Sequence, residues 1–143
     1  MKPVYQKIIS SDHGDCYSAC LSSITELDVP NFHTIEIYDE KHNQNIDYFE
    51  HKIEWLRKNG YSIISFYDKK WEKFDDIFLL NIYTIASVPS QKFKNCMHAV
   101  IIQLQDKHNG SYEWTFVHDP NPENDIAKYK LEDINRVDFI IKN

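Results

Sequence analysis

His98-Ala99-Val100-Ile101-Ile102-Gln103-Leu104, then Asn109-Gly110, then Tyr112-Glu113-Trp114-Thr115-Phe116-Val117-His118-Asp119-Pro120: this stretch reads as a β-hairpin. An apolar run and an alternating aromatic run flank an Asn-Gly pair. Those two residue types tolerate the positive φ angles of a tight type I′ turn. With a two-residue turn, cross-strand partners carry numbers that add to 219, so Val100 faces Asp119. His98 and Asp119 then become diagonal neighbours on one face, about 7–8 Å apart at the backbone and within side-chain reach. His118 falls on the opposite face. Pro120 and Pro122 end the strand and hold the carboxylate at its rim.

Working outward, residues 137–141 form a closing strand, and residues 61–66 and 77–87 contain further strand-like runs. The charged stretch 68–76 between them reads as a loop or short turn on a solvated surface. Residues 45–58 carry Ile46, Phe49, Ile53 and Leu56 at helical spacing, and Lys58-Asn59-Gly60 is a helix stop. A first helix is expected from Cys16 to about Leu27, with Cys16, Cys20, Ile24 and Leu27 on one stripe and Asp12 or Asp15 as its cap. Residues 4–9 read as a short extended segment, and 10–14 as a loop. Helices first and antiparallel strands after give an α+β fold, expected as one domain over 1–143.

The 143 residues carry a net charge of −6, which argues against a protein held to nucleic acid by phosphate neutralisation. Aromatics make up 14% of the chain, too many for disorder and enough for a core. Tyr112, Trp114 and Phe116 are expected in that core, not as a base-stacking platform. No apolar run is long enough to cross a bilayer. The N-terminus has neither an apolar segment nor a small-residue cleavage site, so a cytoplasmic location without membrane attachment is expected.

Three cysteines, Cys16, Cys20 and Cys96, are an odd number and do not suggest a disulfide framework. A thiol nucleophile needs a lowered pKa, a base and a group that orients the base. Cys16 opens the first helix, where unpaired backbone N–H groups and the helix dipole favour a thiolate. Cys20 lies one turn inside and reads as a buried, inert thiol. His98, at the mouth of an apolar strand, supplies the base. Asp119 beside it would fix its tautomer and stabilise the imidazolium.

Three blocks, Gly14-Asp15-Cys16-Tyr17-Ser18-Ala19-Cys20, His98-Ala99-Val100 and Val117-His118-Asp119-Pro120-Asn121-Pro122, together resemble the papain-like cysteine peptidase superfamily. The pattern is similar to that of double-glycine leader peptidases. It is closer still to a group of small uncharacterised phage and bacterial proteins, whose Val-Pro-x-Phe block matches Val29-Pro30-Asn31-Phe32. The resemblance covers residues 6 to 122 in short blocks. It implies a papain-like fold, with a Cys-bearing N-terminal helix packed on a sheet that bears the His and Asp. It also implies Cys16 as nucleophile, His98 as base, Asp119 as orienting acid and Gln6 as the oxyanion donor. No cofactor is implied. The expected activity is a thiol-dependent hydrolase or acyl transferase on a peptide or protein substrate, in the cytoplasm of a bacterium or phage-infected host. The pattern places its Gln six residues before the Cys in the leader peptidases, where this chain has Ser10, and a Gly after the Cys, where this chain has Tyr17.

Two other readings fit the same residues. One is a binding protein on this fold whose catalytic set is idle. The other is a zinc-stabilised domain, since Cys16, Cys20, Cys96 and His98 are the right ligand types. Against zinc, Cys20 sits in an apolar helix stripe, and Cys96 and His98 crowd one face of a strand.

Overall fold

The computed structural model describes residues 1–32, 38, 39, 44, 45, 48–67, 71 and 79–143. In chain order come α1 (Cys16–Thr25), the two-residue strands β1 (Tyr38–Asp39) and β2 (Gln44–Asn45), α2 (Tyr48–Lys58), β3 (Tyr61–Tyr67), β4 (Tyr83–Pro89), β5 (Met97–Asp106), β6 (Tyr112–His118) and β7 (Arg136–Lys142). Strands β3 to β7 form one antiparallel sheet in the order β3-β7-β4-β5-β6. The fold is therefore α+β. No helix among the described residues is long and apolar enough to cross a membrane.

β5 is apolar on both faces because both are covered. Ala99 and Ile101 pack with Tyr17, Cys20 and Leu21 of α1 and Leu56 of α2. Val100, Ile102 and Leu104 pack with Trp114, Val137, Phe139 and Ile134 on the other side. Trp71 is buried in this second cluster, edge-on to Trp114 at 5.8 Å. The stretch 68–76 is expected as a solvated surface; Trp71 is the described residue in it and is buried, which removes roughly 200 Å² of apolar area from water. The rest of that stretch, like Ile46 and Ile77, lies outside the described residues.

The hairpin differs from expectation in its turn. Its loop is three residues, 108–110, closed by the Lys107 N–H on the Ser111 carbonyl at 3.1 Å. The positive φ angles fall on His108 and Gly110, and Asn109 instead turns its side-chain oxygen back to the Ser111 N–H. Partners consequently add to 218 from Asp106↔Tyr112 to Ile102↔Phe116. A β-bulge then shifts the register, so that Ile101 faces His118. The extra residue restores the sum of 219 at the end where Asp119 follows.

Both helices are shorter or turned relative to the sequence reading. α1 stops at Thr25, where Glu26 takes φ 59 and returns its N–H to the Ser22 carbonyl; Leu27 is exposed. The buried face of α2 carries His51, Lys52 and Leu56, while Phe49 is 46% exposed. The helix is rotated to bring Lys52 toward Asp138, a charged residue in the middle of β7. Residues 4–9 form no strand; they are held by single bonds, such as the Gln6 N–H on the Pro120 carbonyl.

Candidate active site

α1 begins at Cys16 after a tightly wound loop. Asp15 does not cap the helix with its side chain. Its carboxylate accepts the Lys7 and Ile8 N–H groups, and its own N–H binds the Ile8 carbonyl. The N-terminal segment is thus folded back against the helix start. Asp12 makes no cap either; its N–H binds the Ser10 hydroxyl. The first N–H groups of α1 consequently have no partner within the helix, which leaves a partial positive charge beside the Cys16 sulfur.

His98, the second residue of β5, is buried, whereas Met97 before it is exposed. Its Nε2 lies 2.7 Å from Asp119 Oδ1. Asp119 follows directly on β6 and is held from several sides. The Asn121 N–H donates to Oδ1 at 2.8 Å, the turn made possible by the Asp-Pro-Asn-Pro sequence. The Tyr129 hydroxyl donates to Oδ2 at 2.6 Å and the Asn124 amide at 3.1 Å. Reading of the sequence by motif and periodicity does not reach Tyr129 and Asn124. The clue would have been the Asx-type turn after Asp119, which brings residues five and ten positions later back to the carboxylate.

The electrostatics follow from this packing. Burial opposes a charged His98, but the hydrogen bond to Asp119, the interaction with the Cys16 side chain and the charges of both raise its pKa to about 9. Burial likewise opposes ionised Asp119, yet His98 and Tyr129 hold its carboxyl below the usual range. Burial and the bonded carboxylate push Tyr129 well up, so it remains a donor. Cys20 is sealed in the core, and burial, reinforced by the charges of Cys16 and Asp119, raises its thiol strongly. Cys16 and Cys96 are partly exposed. Among the described residues no group of three or more His, Cys, Asp or Glu side chains is arranged to hold a metal ion.

Two hollows meet at Cys16, Met97 and His98. One is a cleft of about 410 Å³ walled by Tyr17, Tyr67, Ser87 and Arg136. The other, about 30 Å³, is walled by Gln6, Gly14, Asn121 and Asn124. Gln6 is therefore near the sulfur, but its Nε2 donates to the Ile8 carbonyl at 2.9 Å and its buried Oε1 has no hydrogen-bond partner among the described residues. One of its two amide hydrogens is committed to its own segment. His118 takes no part: its Nε2 contacts the Val4 carbonyl at 2.9 Å and its ring meets Tyr5, which pins the N-terminal segment to β6.

The structure brings Cys16, His98 and Asp119 together, and Gln6 to the edge of the same site. With Nε2 engaged by Asp119, Nδ1 is the ring nitrogen left for proton exchange with a thiol. In comparisons with protein-family models, curated proteins and solved structures, the chain finds no match in any of the three.

Proposed function

We propose that this chain is a thiol-dependent hydrolase or acyl transferase of the peptidase or amidase type, with a papain-like arrangement of its elements. Cys16 is the nucleophile, His98 the acid–base group and Asp119 the residue that orients and charges the ring. The observation that carries this reading is the continuous line from the Tyr129 hydroxyl through Asp119 and His98 to a partly exposed thiol at a helix start, opening on a cleft. The Cys16 thiolate attacks an acyl carbonyl and a C–S bond forms. The oxyanion is met by the N–H groups that open α1, with the second Gln6 amide hydrogen as a further donor. Imidazolium His98 gives its proton to the departing amine as the C–N bond breaks. Water or a second amine, deprotonated by His98, then releases the acyl group. A peptide or protein in the cytoplasm is the substrate class that fits.

Mass-spectrometric mapping of iodoacetamide labelling at neutral pH tests the reading. Cys16 is expected to label well ahead of Cys96 and Cys20, and His98→Ala to slow it. Equal, slow labelling of all three overturns it.

A second reading is a binding protein on the same fold with an idle catalytic set. The Gln6 amide turned to the Ile8 carbonyl favours it. Partner capture unchanged by Cys16→Ala, without hydrolysis of any amide or acyl transfer from it to an amine, would establish this alternative.

A further inference from the structure

The cleft beside Cys16 has one permanently charged side chain among the described residues of its wall, and that charge is positive. Arg136, the first residue of β7, lines the cleft with Cys16, Tyr17 and His98. Its guanidinium carbon lies 5.8 Å from the centre of the Tyr17 ring. Its Nη2 is 3.3 Å from Asp138 Oδ2, the one ion pair it makes among the described residues.

Beneath the cleft lies Asp138. Asp138 is 1% exposed and serves several donors. It accepts the Tyr17 hydroxyl on Oδ2 and the Ser65 hydroxyl on Oδ1, each at 2.6 Å. It also faces Lys52 Nζ at 3.9 Å. Lys52 is as deeply buried as Asp138, with its ammonium 4.3 Å from the centre of the Tyr17 ring. Lys52 is sealed and cannot meet a ligand, whereas Arg136, whose side chain is 29% exposed, can. A guanidinium carries five donors in a rigid fork, and a carboxylate engaging one edge leaves the other for a second carboxylate. All this occurs in a chain of net charge −6, so the cleft is a local inversion of the molecular charge.

We propose that Arg136 makes this cleft a subsite for a carboxylate, so that the acyl substrate carries an acidic side chain or terminus close to the carbonyl that Cys16 attacks. This rests on the thiol reading above and adds the substrate class to it. Tyr17, which replaces the glycine of the resembling pattern, then serves as the platform on which Arg136 lies, and Asp138 fixes both from below.

Matched alkylating probes test this without a known substrate. Iodoacetyl-glycine and iodoacetyl-β-alanine carry a carboxylate at two distances from the reactive carbon; their amides are neutral controls. In the wild type the acid forms should label Cys16 faster than the amides. Arg136→Gln should lower the acid-to-amide rate ratio by about tenfold, as loss of one nearby charge in a partly desolvated cleft implies. The ratio is taken against each variant's own amide rates, and Arg136→Lys should recover most of it. If Arg136→Gln fails to fold, a salt series on the wild type takes its place, in which the ratio must fall as ionic strength rises. Selective Cys16 labelling with a ratio indifferent to Arg136, or to salt, overturns the subsite and leaves the thiol reading intact. Unselective labelling of the three cysteines overturns both.

Discussion

His98 Nε2 lies 2.7 Å from Asp119 Oδ1, both groups buried, and the two members of this contact pull each other's titration apart. The His98 pKa is raised and that of Asp119 is lowered, so the charged pair dominates across the neutral range. The raised histidine stabilises the fold fully below its ordinary pKa of 6.5, and that contribution is lost as pH climbs through about 9. The lowered aspartate stabilises above its ordinary value of 3.8, and that contribution is lost as pH falls.

Asp119→Asn should therefore be less stable than the wild type by about 1–3 kcal/mol near pH 5–6, with the gap closing above about pH 9 and again in acid. Urea titrations across pH measure it; a gap independent of pH would contradict the pairing. Amide hydrolysis should fall as pH rises through about 9, because neutral His98 has no proton for the leaving amine. Cys16 alkylation, which expels iodide and needs no proton, should not fall there. Asp119→Asn should move the hydrolytic limb toward the ordinary histidine value and lower the rate about 10²–10⁴-fold.

The contact was legible in the sequence, though not for the reason the sequence offers. Asn109-Gly110 suggests a two-residue turn, and the register drawn from it aligns Val100 with Asp119. The loop has three residues, and only the bulge at Val117 restores that alignment at the far end of the hairpin. A bulge leaves no composition signal here, because Val117 suits a regular strand equally well. Cys16 and His98 were visible as polar residues at the ends of apolar elements. Tyr129 and Asn124 were not, since they follow two prolines in a stretch without periodicity. Asp138 stands alone in an apolar strand, which marks it as unusual, but only the packed α2 reveals Lys52 as a partner. The helix period alone pointed to Phe49, which lies exposed. Periodicity counts apolar side chains and is blind to a buried charge pair that turns the helix.

Tyr129→Phe keeps the ring and removes one donor from Asp119 Oδ2, leaving Asn124. The carboxyl should titrate at higher pH, because a hydrogen bond to its charged form is gone. Hydrolysis should drop by roughly 5- to 30-fold, the size of one charge-assisted hydrogen bond of about 1–2 kcal/mol. Cys16 should remain the first thiol to label. Carbon NMR of Asp119 checks the shift, and an unmoved carboxyl titration would show that Tyr129 is only packing.

Gly14→Ala should misplace the nucleophile. A Cβ there would sit 2.7 Å from the Ser10 carbonyl oxygen, a backbone atom that cannot swing aside. The loop must shift two residues before Cys16, at a cost of about 1–3 kcal/mol. Thermal unfolding and cysteine mapping report it: a lower Tm and slower Cys16 labelling, with Cys96 unchanged. A Gly14→Ala variant with wild-type stability and Cys16 reactivity would mean that the loop absorbs the methyl group elsewhere.

Lys52→Met isolates the charge beneath the cleft. Burial lowers the Lys52 pKa from 10.5 to about 8, with Asp138 acting in the opposite sense and Arg136 adding to the lowering. Between pH 8 and 10.5 the unfolded chain therefore binds more protons than the folded one, and stability rises with pH. His98 contributes the reverse slope from 6.5 to about 9, so the wild-type curve alone mixes the two effects. The variant separates them, because methionine preserves much of the aliphatic stem and cannot titrate. Asp138 is not orphaned, since Tyr17, Ser65 and Arg136 still donate to it. The difference in unfolding free energy, wild type minus variant, should climb by about 2–3 kcal/mol from pH 7.5 to 10.5. A flat difference would mean that Lys52 keeps its ordinary pKa in the fold, and that the cation beneath Tyr17 is not desolvated after all.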